Sequence, residues 1–173
     1  MRETIAVIVT FLLCAGCVAP EEKNIFLEIR PGMHREMAIA AIEAYGGKVL
    51  RTGPRGFDAQ VATSGPQANG TFSVRDDALR LIILEFYNRK SSQETMTSEW
   101  CEANFQWLST EMEAAFGTPT IVTSPENARS KAIEWKLPEN YSSAALVSRD
   151  GECLGLIAVQ FNGTKETFQS SFP

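Results

Sequence analysis

A single histidine, His34, is all the imidazole that 173 residues carry, and its scarcity removes most metal-binding and Ser-His-Asp chemistry at once. Positive charge is also short. Sixteen Lys and Arg stand against 21 Asp and Glu, a formal charge of −5, whereas a nucleic-acid binder needs a basic face for phosphate. The chain has no low-complexity tract, no block of like charges, no metal-ligand spacing, no phosphate-cradling glycine loop and no nucleophile elbow. What remains is ordinary globular material: 44% hydrophobic, 21% charged and 9% aromatic residues. That composition and length suit one domain, or two small halves sharing a core.

The first residues read as an address. Arg2 is followed by an apolar stretch from Ile5 to Ala15, interrupted only by Thr10. As a helix this stretch spans about 16 Å, roughly half of a bilayer core, so a secretory signal peptide fits better than a membrane span. It ends in Leu13-Cys14-Ala15-Gly16-Cys17, which resembles a bacterial lipobox, with Cys14 where leucine is usual. The resemblance implies removal of residues 1–16 and acylation of Cys17 (palmitate and diacylglycerol), an anchor made permanent by several acyl chains. The alternative is ordinary cleavage after Cys17 or Ala19, which Pro20 disfavours at the second site. Val18 stands where lipoproteins retained in the inner membrane often carry aspartate, so the periplasmic face of the outer membrane is the expected location.

Export fixes the arithmetic of the remaining cysteines. Cys14 leaves with the signal and Cys17 carries lipid; Cys101 and Cys153 are left in an oxidising compartment, where they are expected to pair. Two separately buried thiols are the alternative.

Two stretches of the chain look alike. Ala78-Leu79-Arg80-Leu81-Ile82-Ile83-Leu84-Glu85-Phe86 aligns with Cys153-Leu154-Gly155-Leu156-Ile157-Ala158-Val159-Gln160-Phe161, Arg75-Asp76-Asp77 with Arg149-Asp150-Gly151, and Glu43-Ala44-Tyr45-Gly46-Gly47 with Ala114-Ala115-Phe116-Gly117-Thr118. The pattern predicts a duplicated α+β unit of about 75 residues, a helix and then strands. Helices are expected over 33–45, stopped by Gly46-Gly47, and from a cap at Ser98 to a stop at Gly117 and Pro119. Met37, Ala41 and Ala44 should face the core from the first helix, and Trp100, Ala103, Trp107, Leu108, Met112 and Ala115 from the second. Strands are expected over 48–52, 57–63, 71–75, 79–87, 120–123, 132–137, 144–148 and 154–161. Asn69-Gly70, Asp150-Gly151 and the region of Asp76 read as hairpin turns.

Ile29-Arg30-Pro31-Gly32-Met33 before a helix, then Phe116-Gly117-Thr118-Pro119 and a strand bearing Trp135, resemble the motifs of small outer-membrane lipoproteins of the SmpA/OmlA type. These belong with the β-lactamase-inhibitor-protein-like superfamily. The resemblance implies two tandem helix-plus-antiparallel-sheet units, with helices packed on one face of a curved sheet. The division it suggests is a signal peptide over 1–16, a lipidated N terminus and tether over 17–25, a first repeat over 26–90, a linker over 91–97, a second repeat over 98–163 and a flexible tail over 164–173. It implies a binding module rather than an enzyme, with no cofactor and no metal.

Candidate chemistry in the residues themselves is thin. His34 is the one general base near neutral pH, and reads better as an exposed helix-entry residue. Cys101 near a helix N terminus is a candidate nucleophile, weighed against its disulfide role. Glu99, Glu102, Glu111 and Glu113 offer carboxylates for glycosidic chemistry, but four acids on an amphipathic helix are ordinarily its wet side. Among the aromatic residues of the strands, Trp135 and Tyr141 are expected to be partly exposed and to anchor a partner. The expected function is a lipid-anchored periplasmic interaction module whose partner is another envelope or secreted protein, the membrane being touched through the anchor. The alternatives are an immunity lipoprotein neutralising a periplasmic toxin and, further off, a small cell-envelope hydrolase.

Overall fold

The computed structural model of the chain describes residues 24–86, 97–123, 130–149 and 152–171. The expected signal peptide, the lipid site Cys17, most of the tether, the linker up to residue 96 and the Asp150-Gly151 turn lie outside those residues. The elements run α1 (Ile25–Glu28), α2 (Arg35–Ala44), β1 (Lys48–Gly53), β2 (Gly56–Val61), β3 (Ala68–Arg75), β4 (Ala78–Phe86), α3 (Ser98–Phe116), β5 (Ile121–Thr123), β6 (Ser130–Lys136), β7 (Asn140–Arg149), β8 (Glu152–Asn162) and α4 (Lys165–Ser170).

Local chemistry accounts for most boundaries. Asn24 caps α1 by accepting from the Phe26 N–H. Thr97, one residue before the expected Ser98, caps α3 by accepting from the Trp100 N–H. Gly117 ends α3 in the left-handed region at φ 79°. Asp76 and Asp77, at φ 53° and 61°, form the two-residue turn between β3 and β4, where short polar side chains tolerate positive φ. Asn69-Gly70, read as a turn from its sequence, instead lies within β3, near its start, paired with Gln60 and Ala59 on one side and Glu85 and Leu84 on the other. A Cβ on Gly70 would lie 2.4 Å from the Phe72 ring, so the glycine is there to make room rather than to turn the chain.

All eight strands form one antiparallel sheet in the order β1-β2-β3-β4-β8-β7-β6-β5. The expected pair of tandem helix-plus-sheet units is therefore incorrect. The two look-alike segments lie side by side as central strands, with Leu81 opposite Phe161 and Phe86 opposite Leu156. Each is too apolar on both faces to serve as an edge, and pairing them satisfies both. The main apolar cluster runs from Ile25 and Phe26 through Phe72 and Leu84 to Trp135 and Leu156, and the small cluster on the other face joins Leu81 to Tyr141 and Phe161, so each draws on both halves of the chain and neither defines a separate unit.

The helix layer on the first face holds α1, α2 and α3. Its buried stripes differ in detail from those expected. Ala38 and Ile42 face the sheet from α2, while Met37 is 60% exposed; Cys101, Phe105, Leu108 and Met112 form the buried row of α3. Cys101, bonded to Cys153, lies in this inward row, and Ala103 is exposed. The residues expected to be a flexible tail include a short helix, α4, capped by Thr164 and seated on the opposite face. At the two ends of the sheet, β1 changes register between Val49 and Arg51, leaving Leu50 54% exposed, and β5 is only three residues long.

Candidate functional site

Strand alternation sends neighbouring residues to different layers. In β6, Trp135 and Ile133 face the helices, and Glu134 and Ala132 face the other side. Trp135 is 1% exposed and donates from Nε1 to the Gly117 carbonyl at 2.7 Å, tying the strand to the end of α3. Tyr141 is buried too, against Leu81 and Phe161 on the second face, where Phe168 of α4 covers it at 5.3 Å between ring centroids. The expectation that these two aromatics stand partly exposed is therefore overturned. Phe57 and Phe72 are also buried, stacked on one another at 4.6 Å.

Cys101 and Cys153 are joined, with 6.5 Å between their Cα atoms, as geometry requires. The bond fastens the first turn of α3 to the start of β8, and it removes Cys101 as a nucleophile. His34 is exposed at the entrance to α2 with Nδ1 3.5 Å from the Asp77 carboxylate. Glu99, Glu102 and Glu113 are exposed on α3, Glu102 paired with Lys131. Among the described residues no group of three or more metal-ligating side chains converges, and no helix is long and apolar enough to cross a membrane.

Among the described residues, the second face is where the sheet is thinly covered. Its apolar rows come from the central strands: Ile83 opposite Val159, and Ile157 opposite Ala145, all half-buried, with Val147 beyond them. The six residues of α4 cover only the end of this belt, at Leu81, Tyr141 and Phe161. Lys165 holds α4 down by donating to both oxygens of Glu134 at 2.8 and 2.6 Å, and this hydrogen bond raises the lysine pKa. Burial raises the Tyr141 pKa in turn. Arg80 lies over the Phe161 ring at 4.4 Å, a cation–π contact at the margin of the same patch. Further along, a hollow of about 360 Å³ opens beside the β1–β2 turn, but its Arg51 is already held by Asp58 at 2.6 Å and Thr71 donates to the same carboxylate. It is not a free cation site.

Comparison with protein families, with curated proteins and with solved structures finds no match for this chain.

Polar burial singles out one other place. Ser142 and Gln160, cross-strand neighbours on the first face, are the buried polar side chains among the described residues, 1% and 2% exposed. Gln160 Oε1 accepts no hydrogen bond from any described residue, a state that costs about 1–3 kcal/mol when nothing fills the gap. Sequence reasoning passed over this pair. A signal existed: Gln160 occupies the same alternation as Leu156 and Ala158, so a polar side chain had been placed on a core position.

Proposed function

We propose that this chain is a lipid-anchored periplasmic interaction module that binds another envelope or secreted protein through the second face of its sheet. One observation carries the reading. The central strands are apolar on both sides, and on the second side α4 covers only one end, leaving Ile83, Ile157, Val159, Ala145 and Val147 half-buried. An apolar centre with a polar rim, here Glu85, Thr71 and Ser143, is how protein-binding surfaces are built. The lipobox-like Ala15-Gly16-Cys17 supports the anchor, and the motif at residues 29–33 supports the binding role.

The test is cross-linking in cells. A photo-reactive phenylalanine replacing Val159 should trap a partner, and the same residue replacing Glu43, exposed on α2 across the molecule, should not. Adding Ala145→Arg should abolish the adduct. Equal trapping at both positions, or none at Val159, overturns the reading. A basic secreted toxin in the adduct would select the immunity role over envelope assembly, since opposite charge speeds capture. The anchor is tested separately: a palmitate analogue should label the wild type and not Cys17→Ala, and persistent labelling of the variant would refute it.

A further inference from the structure

Two hollows adjoin where α1, the end of α3 and the β6–β7 turn meet, on the helix side of the sheet. The inner one, about 160 Å³, has apolar walls from Leu27, Ala115, Phe116 and Leu137, and a polar floor from Ser142 and Gln160. The outer one, about 410 Å³, is bordered by Met33, His34 and Met37. Arg30, Pro31 and Asn140 line both, so they stand at the junction.

Each part selects a different chemistry. The floor offers the unpartnered Gln160 Oε1, an acceptor that calls for an N–H or O–H donor; the apolar walls reject a charge there. The inner space has room for a group the size of about five water molecules. At the junction the exposed Arg30 forms no ion pair among the described residues, and a guanidinium fork suits a carboxylate. Beyond it, Met33 and the largely exposed Met37 offer an adaptable apolar ledge along which a chain can continue.

We propose that the paired hollows bind a carboxylate-bearing ligand whose end group is a carboxamide or hydroxyl on a short aliphatic stem. The C terminus of a peptide ending in glutamine has this chemistry, and so has a free N-acylated amino acid. The carboxylate sits at Arg30, the end group enters the inner hollow to donate to Gln160, and any preceding residues lie along Met33 and Met37. This site lies on the opposite layer from the sheet face assigned to the protein partner and stands or falls independently of it.

The probes are N-acetylglutamine, acetyl-Ala-Ala-Ala-Gln with a free C terminus, and the same peptide as its C-terminal amide, added at millimolar concentration to the isotope-labelled full chain. The acid probes should move the side-chain amide resonance of Gln160. The amidated peptide, and either acid probe against Arg30→Gln, should bind roughly tenfold more weakly or worse. Gln160→Leu should abolish binding. Should that variant fail to fold, Ala115→Met, which fills the inner hollow from its wall, takes its place. A peptide tenfold tighter than N-acetylglutamine, with Met37→Asp erasing the difference, identifies a polypeptide end as the ligand; equal affinity identifies the free acid. No shift at Gln160 with any probe, or binding indifferent to Arg30→Gln, overturns the proposal and leaves the space to water.

Discussion

Trp135 and Glu134 are consecutive residues of β6, and their surroundings could hardly differ more. Trp135 is sealed under α3, hydrogen-bonded to the helix end and surrounded by the main apolar cluster. Glu134 faces the other layer and is covered by one lysine from a six-residue helix. The first face is closed by three helices and a covalent bond; the second is closed locally by one aromatic residue and one ion pair. Burial fraction alone hides this contrast, since Tyr141 on the second face is as buried as Phe105 on the first. The number of elements that must move to expose a residue separates the two, and a face that opens cheaply is suited to exchanging its cover for a partner.

That contrast predicts an order of effects. Trp135→Ala should be the most damaging, about 3–5 kcal/mol in urea unfolding, because it leaves a large cavity and strips the Gly117 carbonyl of its donor. A loss near 1 kcal/mol would mean the first face is looser than described. Breaking the disulfide by Cys101→Ser with Cys153→Ser comes next, at about 2–4 kcal/mol for a bond spanning 52 residues of chain. Thiol titration of the denatured wild type without reductant should find Cys101 and Cys153 unreactive.

On the second face the effects shrink. Phe168→Ala removes the ring against Tyr141 and Phe161 and should cost about 0.5–1.5 kcal/mol, with Tyr141 becoming accessible to quenchers. A loss equal to that of Trp135→Ala would erase the distinction between the faces. The smallest effect is alkaline. Tyr45, on the first face, is pushed up to about 12 by burial and then by Glu28, and Lys165, on the second, is raised by its bond to Glu134. In both cases the native state holds the proton more tightly than the unfolded chain. The stabilisation is complete below the ordinary values, near 10, and drains away as pH rises towards the native ones. Unfolding midpoints followed between about pH 9 and 12 should fall for the wild type, less steeply for Tyr45→Phe, and only slightly less steeply for Lys165→Met. An unchanged slope in Tyr45→Phe would contradict the assignment.

Much of the secondary structure was legible because its punctuation is local. Gly46, Gly117 and the Asp76-Asp77 pair each mark an end or a turn by backbone preference alone, and all eight strand segments fall near the stretches of alternating or continuous apolar residues. The pairing of Cys101 with Cys153 followed from counting thiols in a chain expected to be exported. The assembly was not legible. That 79–86 and 154–161 each need cover on both faces is written in their composition; that they cover one another is a long-range choice no local pattern encodes. Their likeness suggested two separate units, whereas the sheet runs unbroken through both. Gly70 was misread because a glycine that makes room for Phe72 and one that turns a chain look the same in sequence. Tyr141 was expected to be partly exposed because α4 is too short, and its residues too polar, to announce itself as a cover; Trp135 was expected so because the alternation of β6 does not say which of its two faces α3 lies on.

The ends of the sheet have a consequence for behaviour in a crowd. An open eight-stranded sheet offers two rows of unpaired backbone amides, each a template onto which another copy could add. Here neither row is inviting. β1 is interrupted by its register change at Leu50 and carries the exposed charges of Lys48 and Arg51, and β5 supplies only three residues. Kinks, charge and brevity are the means by which sheets avoid growing into ribbons. A sheet so finished offers a second copy of the chain little edge on which to extend it.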